Sequence, residues 1–204
     1  MKNFDEQKSL INLIVASLMG EGEPPLAMGG AITSIQVPFA KEKSFYLLNY
    51  LQSNNLKNHV TVQPRKNQFV IHLNGELTDL VEGWYKGSIK VFTQGVNSKH
   101  LTRKAIMVYI SLFGNRQIEG VSISTNIQEE YLNTLAYCIE KKLKINVVPS
   151  GSNKIKIPEV TNLFLTALRK ENTYDCTEIA CFLTNNEKSK LVQIISSKGC
   201  EQID

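Results

Sequence analysis

The sequence predicts an α+β fold in which two similar halves, each with an antiparallel sheet, surround two central helices. Two segments are apolar around their whole circumference, which is typical of helices buried on all sides: Ser9 to Gly20 (SLINLIVASLMG) and Ala105 to Phe113 (AIMVYISLF). The same order of elements follows each of them, namely a strand, an amphipathic helix, a hairpin and a closing helix. This repetition indicates an internal duplication with pseudo-twofold symmetry.

The two apolar helices have recognisable ends. The first is followed by Gly22 and the pair Pro24-Pro25, which cannot continue a helix. The second is preceded by Thr102, a suitable N-cap, and stops at Gly114. Because helices that are apolar on every side need a partner, the simplest arrangement packs them against each other.

Alternation and helical spacing place the other elements. Strands are predicted over Ile32 to Phe39 and Gly120 to Thr125, and hairpins over His59 to Gln63 with Gln68 to Leu73 and over Lys144 to Val148 with Lys154 to Ile157. Helices are predicted over Lys41 to Gln52, with Phe45, Leu48 and Leu51 as its apolar face, and over Gln128 to Lys142, Glu76 to Tyr85 and Glu159 to Arg169. The expected organisation is a first repeat over residues 1–88, a linker over 89–101, a second repeat over 102–170 and a C-terminal helical extension over 171–204.

Composition excludes several classes of protein. The 204 residues are 42% hydrophobic and 21% charged, as in ordinary globular domains rather than disordered or fibrous chains. No stretch reaches the roughly 18 consecutive apolar residues of a membrane span. Residues 1–8 lack the layout of a signal peptide, so we expect a cytoplasmic protein with no membrane partner. The four cysteines form no CxxC pair, which argues against a structural zinc site.

The positive charge is concentrated near the predicted hairpins. The formal net charge is +4, but residues 57–72 carry three Lys and Arg without an acid, and residues 141–158 carry five lysines without an acid. Two separate basic strand regions point to nucleic acid more directly than the total charge does.

Alternation also separates the inward and outward residues of the hairpins. The inward set is apolar: Val60, Val62, Phe69, Ile71, Ile145, Val147, Ile155 and Ile157. Amides, hydroxyls and cations on outward positions match the groups on base edges and phosphates, and a two-stranded ribbon fits the major groove. A polar face is also what any solvated sheet shows, so this alternative stays open. The candidate DNA contacts are Gln36, His59, Thr61, Gln63, Arg65, Lys66, Gln68, His72, Arg116, Lys144, Asn146, Lys154 and Lys156.

An ordered set of motifs resembles a known family, the LAGLIDADG homing endonucleases in their single-chain form with two motifs. Ile14 to Gly22 (IVASLMGEG) is similar to the signature helix, which ends in Gly-Asp-Gly. Leu80 to Tyr85 (LVEGWY), Ala105 to Gly114 and Ser122 to Asn126 (SISTN) then follow in the order of that family. The resemblance covers about residues 9 to 169. It implies a saddle of two sheets lying along double-stranded DNA, with the motif helices at its centre.

The resemblance also implies what each motif helix contributes to cleavage. In active members each helix delivers one carboxylate, and the two acids hold divalent metals against the scissile phosphates. Glu21 stands in the first acid position and is the candidate catalytic and metal-binding residue, with Glu23 and Glu119 nearby in sequence. Phe113 stands in the second position and cannot ligate Mg²⁺, which requires oxygen ligands.

These departures predict a sequence-specific DNA-binding protein that has lost double-strand cleavage. Its role stays open between regulation, splicing and intron or intein mobility. The internal duplication makes a second chain unnecessary, so we expect a monomer. Binding would need no cofactor, whereas retained cleavage would need Mg²⁺. An active endonuclease or nickase using Glu21, and a protein-interaction scaffold, are the alternatives. RNA is less favoured because the outward strand positions carry no stacking aromatics.

The C-terminal segment allows two interpretations. Thr177 to Leu183 and Glu187 to Ser196 have a weak similarity to a helix-turn-helix, whose second helix enters a major groove. The turn lacks the usual glycine, so a packing appendage is favoured.

Overall fold

The chain forms helices and strands that follow the same order in each half. A computed structural model describes residues 2–25, 32–170 and 173–200. The first half contains α1 (Lys2–Met19), β1 (Ser34–Pro38), α2 (Ser44–Ser53), β2 (Val60–Gln63), β3 (Gln68–His72), α3 (Gly75–Glu82), β4 (Tyr85–Lys86), β5 (Ile89–Lys90) and α4 (Gln94–Asn97). The rest contains α5 (Arg103–Phe113), β6 (Gly114–Gln117), β7 (Gly120–Ser124), α6 (Glu129–Leu143), β8 (Val148–Pro149), β9 (Lys154–Ile157), α7 (Val160–Lys170), α8 (Thr173–Ala180) and α9 (Asn185–Cys200).

The two apolar helices, α1 and α5, pack against each other in the centre, as predicted. Every residue of α5 from Ala105 to Phe113 is buried. Thr102 caps α5 by accepting a hydrogen bond from the backbone N–H of Ala105 at 2.9 Å, and its hydroxyl donates to Oδ1 of Asn12 in α1 at 2.6 Å. The cap therefore also fixes the second helix against the first.

The two sheets have matching strand orders, which supports the duplication. The second sheet has the order β6-β7-β9-β8, and the first has β1-β3-β2. Glu23 forms an isolated antiparallel bridge with Gln36 of β1, so its segment takes the place beside β1 that β6 takes beside β7. The inward residues predicted from alternation are buried, except Val62, which is half-buried.

Two details of the predicted elements are wrong. Phe45 and Leu48 are 76% and 53% exposed, and α2 instead buries Tyr46, Leu47, Tyr50 and Leu51. The buried face of α2 therefore differs from the predicted one. Tyr50 can be buried on it because its hydroxyl donates a hydrogen bond to the backbone carbonyl of Ser9 at 3.0 Å. The strand predicted over Lys144 to Val148 is reduced to β8, because Lys144 takes a left-handed conformation (φ 61°) that ends α6.

Residues 89–101, predicted as a linker, contain β5, α4 and a short 3-10 helix. β5 pairs with β4 to form a small hairpin, which turns at Gly87 with a φ of 63°. This hairpin places Lys90 among the buried residues. Within the described ranges, no helix has the length and apolarity needed to cross a membrane.

The C-terminal helix α8 packs against α2, α5 and α7 and therefore contacts both halves. Glu178 of α8 forms an ion pair of 2.5 Å with the buried Lys43, whose ammonium also lies 4.7 Å from the centre of the Phe182 ring. The N-terminus of α9 has a capping box, in which the Glu187 carboxylate accepts from the Thr184 backbone N–H at 2.8 Å. These contacts favour the packing interpretation of the segment.

Replacing Glu178 with glutamine is expected to lower the free energy of unfolding by about 2 kcal/mol, because the buried Lys43 ammonium loses its counter-charge. Urea titration followed by circular dichroism measures the change. The exposed Glu82→Gln variant is the control and should stay within about 0.5 kcal/mol of the wild type. A loss of the same small size in both variants would contradict a stabilising role for this contact.

Candidate nucleic-acid interface

Each sheet has an outer face, defined by the residues that point away from the buried core. In the first sheet the registers Ser34 with His72 and Gln63 with Gln68 identify this face. In the second sheet Ser122 lies between Asn115 and Lys156. The polar residues of the first outer face are Ser34, Gln36, Thr61, Gln63, Gln68 and His72, and those of the second are Asn115, Gln117, Ser122, Ser124, Lys154 and Lys156.

Side-chain pairs organise the first outer face. Nε2 of Gln68 donates to Oε1 of Gln63 at 2.7 Å, and the Thr61 hydroxyl lies 2.9 Å from Nε2 of His72. The Gln63–Gln68 pair uses one polar group of each amide. An amide donor and an amide acceptor therefore remain next to each other on this face, in a fixed relation.

Two predicted contact residues are placed elsewhere. His59 has helical backbone angles (φ −101°, ψ −14°), so the alternation of β2 does not extend to it, and its ring lies 3.1 Å from Oε1 of Glu6 in α1. Arg116 is in register with the buried Val121 and therefore points to the inner face, where it pairs with Glu187 of α9 at 3.2 Å. The assignment of His59 to an outward strand position was wrong, because β2 begins only at Val60. Arg116 was predicted as a DNA contact without any strand being predicted around it.

The outer face of β6 supplies two residues that sequence reasoning missed, Asn115 and Gln117, both exposed. Gly114 was interpreted only as a helix stop, although β6 starts at that residue. The available signal was the segment Gly114 to Ser124, which can form a hairpin with a two-residue turn at Ile118 and Glu119; Gly120, with a φ of 104°, begins β7 directly after that turn.

The other predicted cations lie beside the outer faces. Arg65 and Lys66 are exposed in the 3-10 turn between β2 and β3, and Lys144 and Asn146 are exposed between α6 and β8. Lys154 is exposed, whereas Lys156 pairs with Glu119 at 3.1 Å. Turn cations at the rim of a polar face suit phosphates that run beside a groove.

The ends of the two central helices differ in chemistry. Glu21 is half-buried directly after α1. At the end of α5 the Phe113 ring lies over Gly20, where its nearest carbon is 2.5 Å from the place that a Cβ of residue 20 would take. An apolar ring therefore closes the position in which the resemblance expects a second acid.

The side chain of Lys90 forms hydrogen bonds to residues around the end of α1. Its ammonium donates to the backbone carbonyls of Gly22 and, at 3.4 Å, Gly20, which flank Glu21, and it also donates to Oδ1 of Asn126. Nδ2 of Asn126 in turn donates to Oε1 of Glu23 at 2.5 Å. The network joins the end of α1 to the segment that follows β7, and so joins the two halves.

Burial controls the protonation of this cluster. It lowers the pKa of the Lys90 amine to about 7, and the carboxylates of Glu23 and Glu21 oppose that shift. Burial also raises the pKa of the Tyr109 phenol far above its usual range, with a smaller contribution from Glu21. Tyr109 donates its hydroxyl hydrogen to the carbonyl of Ser124 at 3.1 Å.

The centre does not fit a magnesium site of the kind that the resemblance implies. Mg²⁺ requires oxygen ligands in near-octahedral geometry. Across residues 2–25, 32–170 and 173–200 no three His, Cys, Asp or Glu side chains come together as a metal site. The carbonyls beside Glu21 are already bonded to an ammonium, and Phe113 supplies no oxygen.

The shifted pKa of Lys90 predicts a pH dependence of stability. Because the folded-state pKa is about 7 and the ordinary value is 10.5, the unfolded chain binds more protons between these values. The free energy of unfolding should therefore rise with pH above about 7 and be lowest below it. Urea titrations from about pH 6 to 9, below the tyrosine range, should show this rise in the wild type and a flatter profile in Lys90→Met. Equal slopes in both proteins would contradict the assignment.

The fold has counterparts among solved structures. The homing endonuclease I-WcaI bound to its DNA recognition sequence matches 93% of this chain and 91% of its own, at 11% identity and a TM-score of 0.56. The chain therefore has the LAGLIDADG fold. The resemblance predicted from the motifs is confirmed at the level of fold, and so is the α+β class with its antiparallel sheets.

Two further solved structures match with lower TM-scores. Full-length DUF199/WhiA from Thermatoga maritima matches 96% of this chain and 69% of its own at 12% identity and a TM-score of 0.46. The N-terminal LAGLIDADG domain of DUF199/WhiA matches 85% of this chain and 87% of its own at 11% identity and a TM-score of 0.47. Neither the family models nor the curated proteins include a match to this sequence.

Proposed function

We propose that this LAGLIDADG-fold protein binds double-stranded DNA at a specific sequence, through the outer faces of its two sheets, and does not cleave both strands. The observation that carries the proposal is the pair of outer faces, which both present amides or hydroxyls on equivalent strands, with Lys154 and Lys156 added in the second half. The I-WcaI structure, with the same fold, is bound to its DNA recognition sequence. A site-specific binder without cleavage suits a regulatory role.

The first outer face suits the reading of base edges. The Gln63–Gln68 pair offers a donor and an acceptor side by side, which is the complement of N7 and N6 of adenine in the major groove. His59 and Arg116 are left out of this proposed surface because of their partners, whereas Asn115 and Gln117 are added.

The proposed base reading predicts a local loss of specificity. Replacing Gln68 with alanine should reduce the preference for one base pair by about 1–3 kcal/mol and leave the salt dependence of binding unchanged, because no phosphate contact is lost. Binding of a library of single-base variants of the selected site measures both quantities. An unchanged preference at every position would show that Gln68 does not read a base.

The C-terminal helices are not assigned to DNA. Glu187 anchors the start of α9 to the inner face of the second sheet, opposite the proposed contact surface. Lys188→Ala and Lys190→Ala, both on the exposed side of α9, should leave affinity unchanged. A loss of affinity in these variants would restore the helix-turn-helix interpretation.

The function is tested by selecting genomic DNA fragments with the purified full chain near physiological salt and in EDTA, and then adding Mg²⁺ or Mn²⁺ to the enriched fragment. We expect enrichment of one long site that stays intact. Linear product would overturn the loss of cleavage, and nicking abolished by Glu21→Gln would establish the nickase alternative. The absence of any enrichment would move the function away from DNA.

A further inference from the structure

The end of α1 is lined with oxygen atoms. The carbonyls of Gly20 and Gly22 flank Glu21, and Oδ1 of Asn126 faces them from the second half. The carboxylate of Glu23 is held beside them by Nδ2 of Asn126. Carbonyl, amide and carboxylate oxygens are the ligands that bind hard cations, so a positive charge is stabilised in this cluster.

A side chain of the protein supplies that charge. Lys90 is 5% exposed, and its Nζ reaches three of these oxygens from the β4–β5 hairpin. We infer that the Lys90 ammonium is the resident cation of the centre, occupying the oxygens beside Glu21 and excluding divalent metal ions. The ammonium excludes a metal by occupying the oxygen atoms that would bind it. The Phe113 ring excludes a metal because it stands where the second carboxylate ligand would be.

The chemistry of the ion explains why lysine can do this. An ammonium donates up to three hydrogen bonds from a single charged centre, whereas Mg²⁺ needs about six oxygens at near-octahedral angles. The three protein oxygens around Nζ of Lys90 match the three donors of an ammonium and are too few for the coordination shell of Mg²⁺. The ammonium also connects Gly20 and Gly22 of the first half with Asn126 of the second half. Because a side chain of the protein already makes this connection, DNA binding should not depend on an added metal.

This inference deepens the proposed function and rests on its loss of cleavage, because a cleaving enzyme would need the metal. The probe is Mn²⁺ alone, followed by electron paramagnetic resonance on the full chain without DNA. Four variants are compared with the wild type: Lys90→Ala, Glu21→Gln, Lys90→Ala with Glu21→Gln, and the control Lys86→Ala. Lys86 lies in the same hairpin, is exposed and faces the Tyr131 ring at 6.0 Å.

We expect no bound Mn²⁺ in the wild type or in Lys86→Ala, and about one bound ion in Lys90→Ala that is lost again when Glu21→Gln is added. Mn²⁺ bound to the wild type and lost in Glu21→Gln would overturn the inference, and so would a folded Lys90→Ala variant that stays free of metal. If Lys90→Ala does not fold, the wild-type measurement alone decides. DNA selection in EDTA is scored separately, so a failure of DNA binding and a failure of metal exclusion are distinguishable.

Discussion

DNA affinity is expected to fall by about 100-fold when four exposed cations beside the outer faces are replaced with alanine: Arg65, Lys66, Lys144 and Lys154. Each cation that neutralises a phosphate releases counterions, and the slope of log K against log salt should therefore decrease by about 0.9 per residue. Fluorescence anisotropy with the selected DNA site over a range of salt concentrations gives both the affinity and the slope.

A second set of four lysines provides a control with the same change in charge. They are exposed but lie on α1, beside α4 and on α9, away from both outer faces: Lys8, Lys99, Lys188 and Lys190. Their replacement with alanine should change affinity only a few-fold, through the net charge. Equal losses in the two quadruple variants would mean that the sheets do not hold the DNA.

The largest effect on stability is expected at the contact between Phe113 and Gly20. Phe113→Ala should lower the free energy of unfolding by about 3–5 kcal/mol, because it leaves a cavity where α1 and α5 meet. Gly20→Ala should cost about 1–3 kcal/mol, because a Cβ there would lie 2.5 Å from the ring. Urea titration of both variants measures these costs.

The double variant Phe113→Ala with Gly20→Ala tests whether the cost of Gly20→Ala comes from its contact with the Phe113 ring. Once the Phe113 ring is absent, Gly20→Ala should become nearly neutral or stabilising, since Gly20 does not have a left-handed φ, the nearest obstructing atoms all belong to that ring, and alanine restricts the unfolded chain more than glycine does. Gly75→Ala is the control, because a Cβ at residue 75 would meet no atom within 4 Å. Additive costs in the double variant would mean that the ring does not close this position.

Patterns local to the chain predicted the elements well but not the orientation of every side chain. Alternation identified the buried residues of both hairpins, because a strand with one face in the core must alternate. It failed for His59, because β2 begins only at Val60 and the residue before it has helical backbone angles. Helical spacing failed for Phe45, because the side of α2 that is buried depends on its neighbours α5 and α8.

The sequence by itself determined the two buried helices, the repeated order of elements and the replacement of the second acid by Phe113. All of these follow from residue type and spacing along the chain. Only the tertiary structure decided that Lys90 reaches the end of α1 and that the Phe113 ring covers Gly20. These contacts join residues about 70 and 90 positions apart, and such pairings are set by how the helices and hairpins pack, which no local pattern encodes.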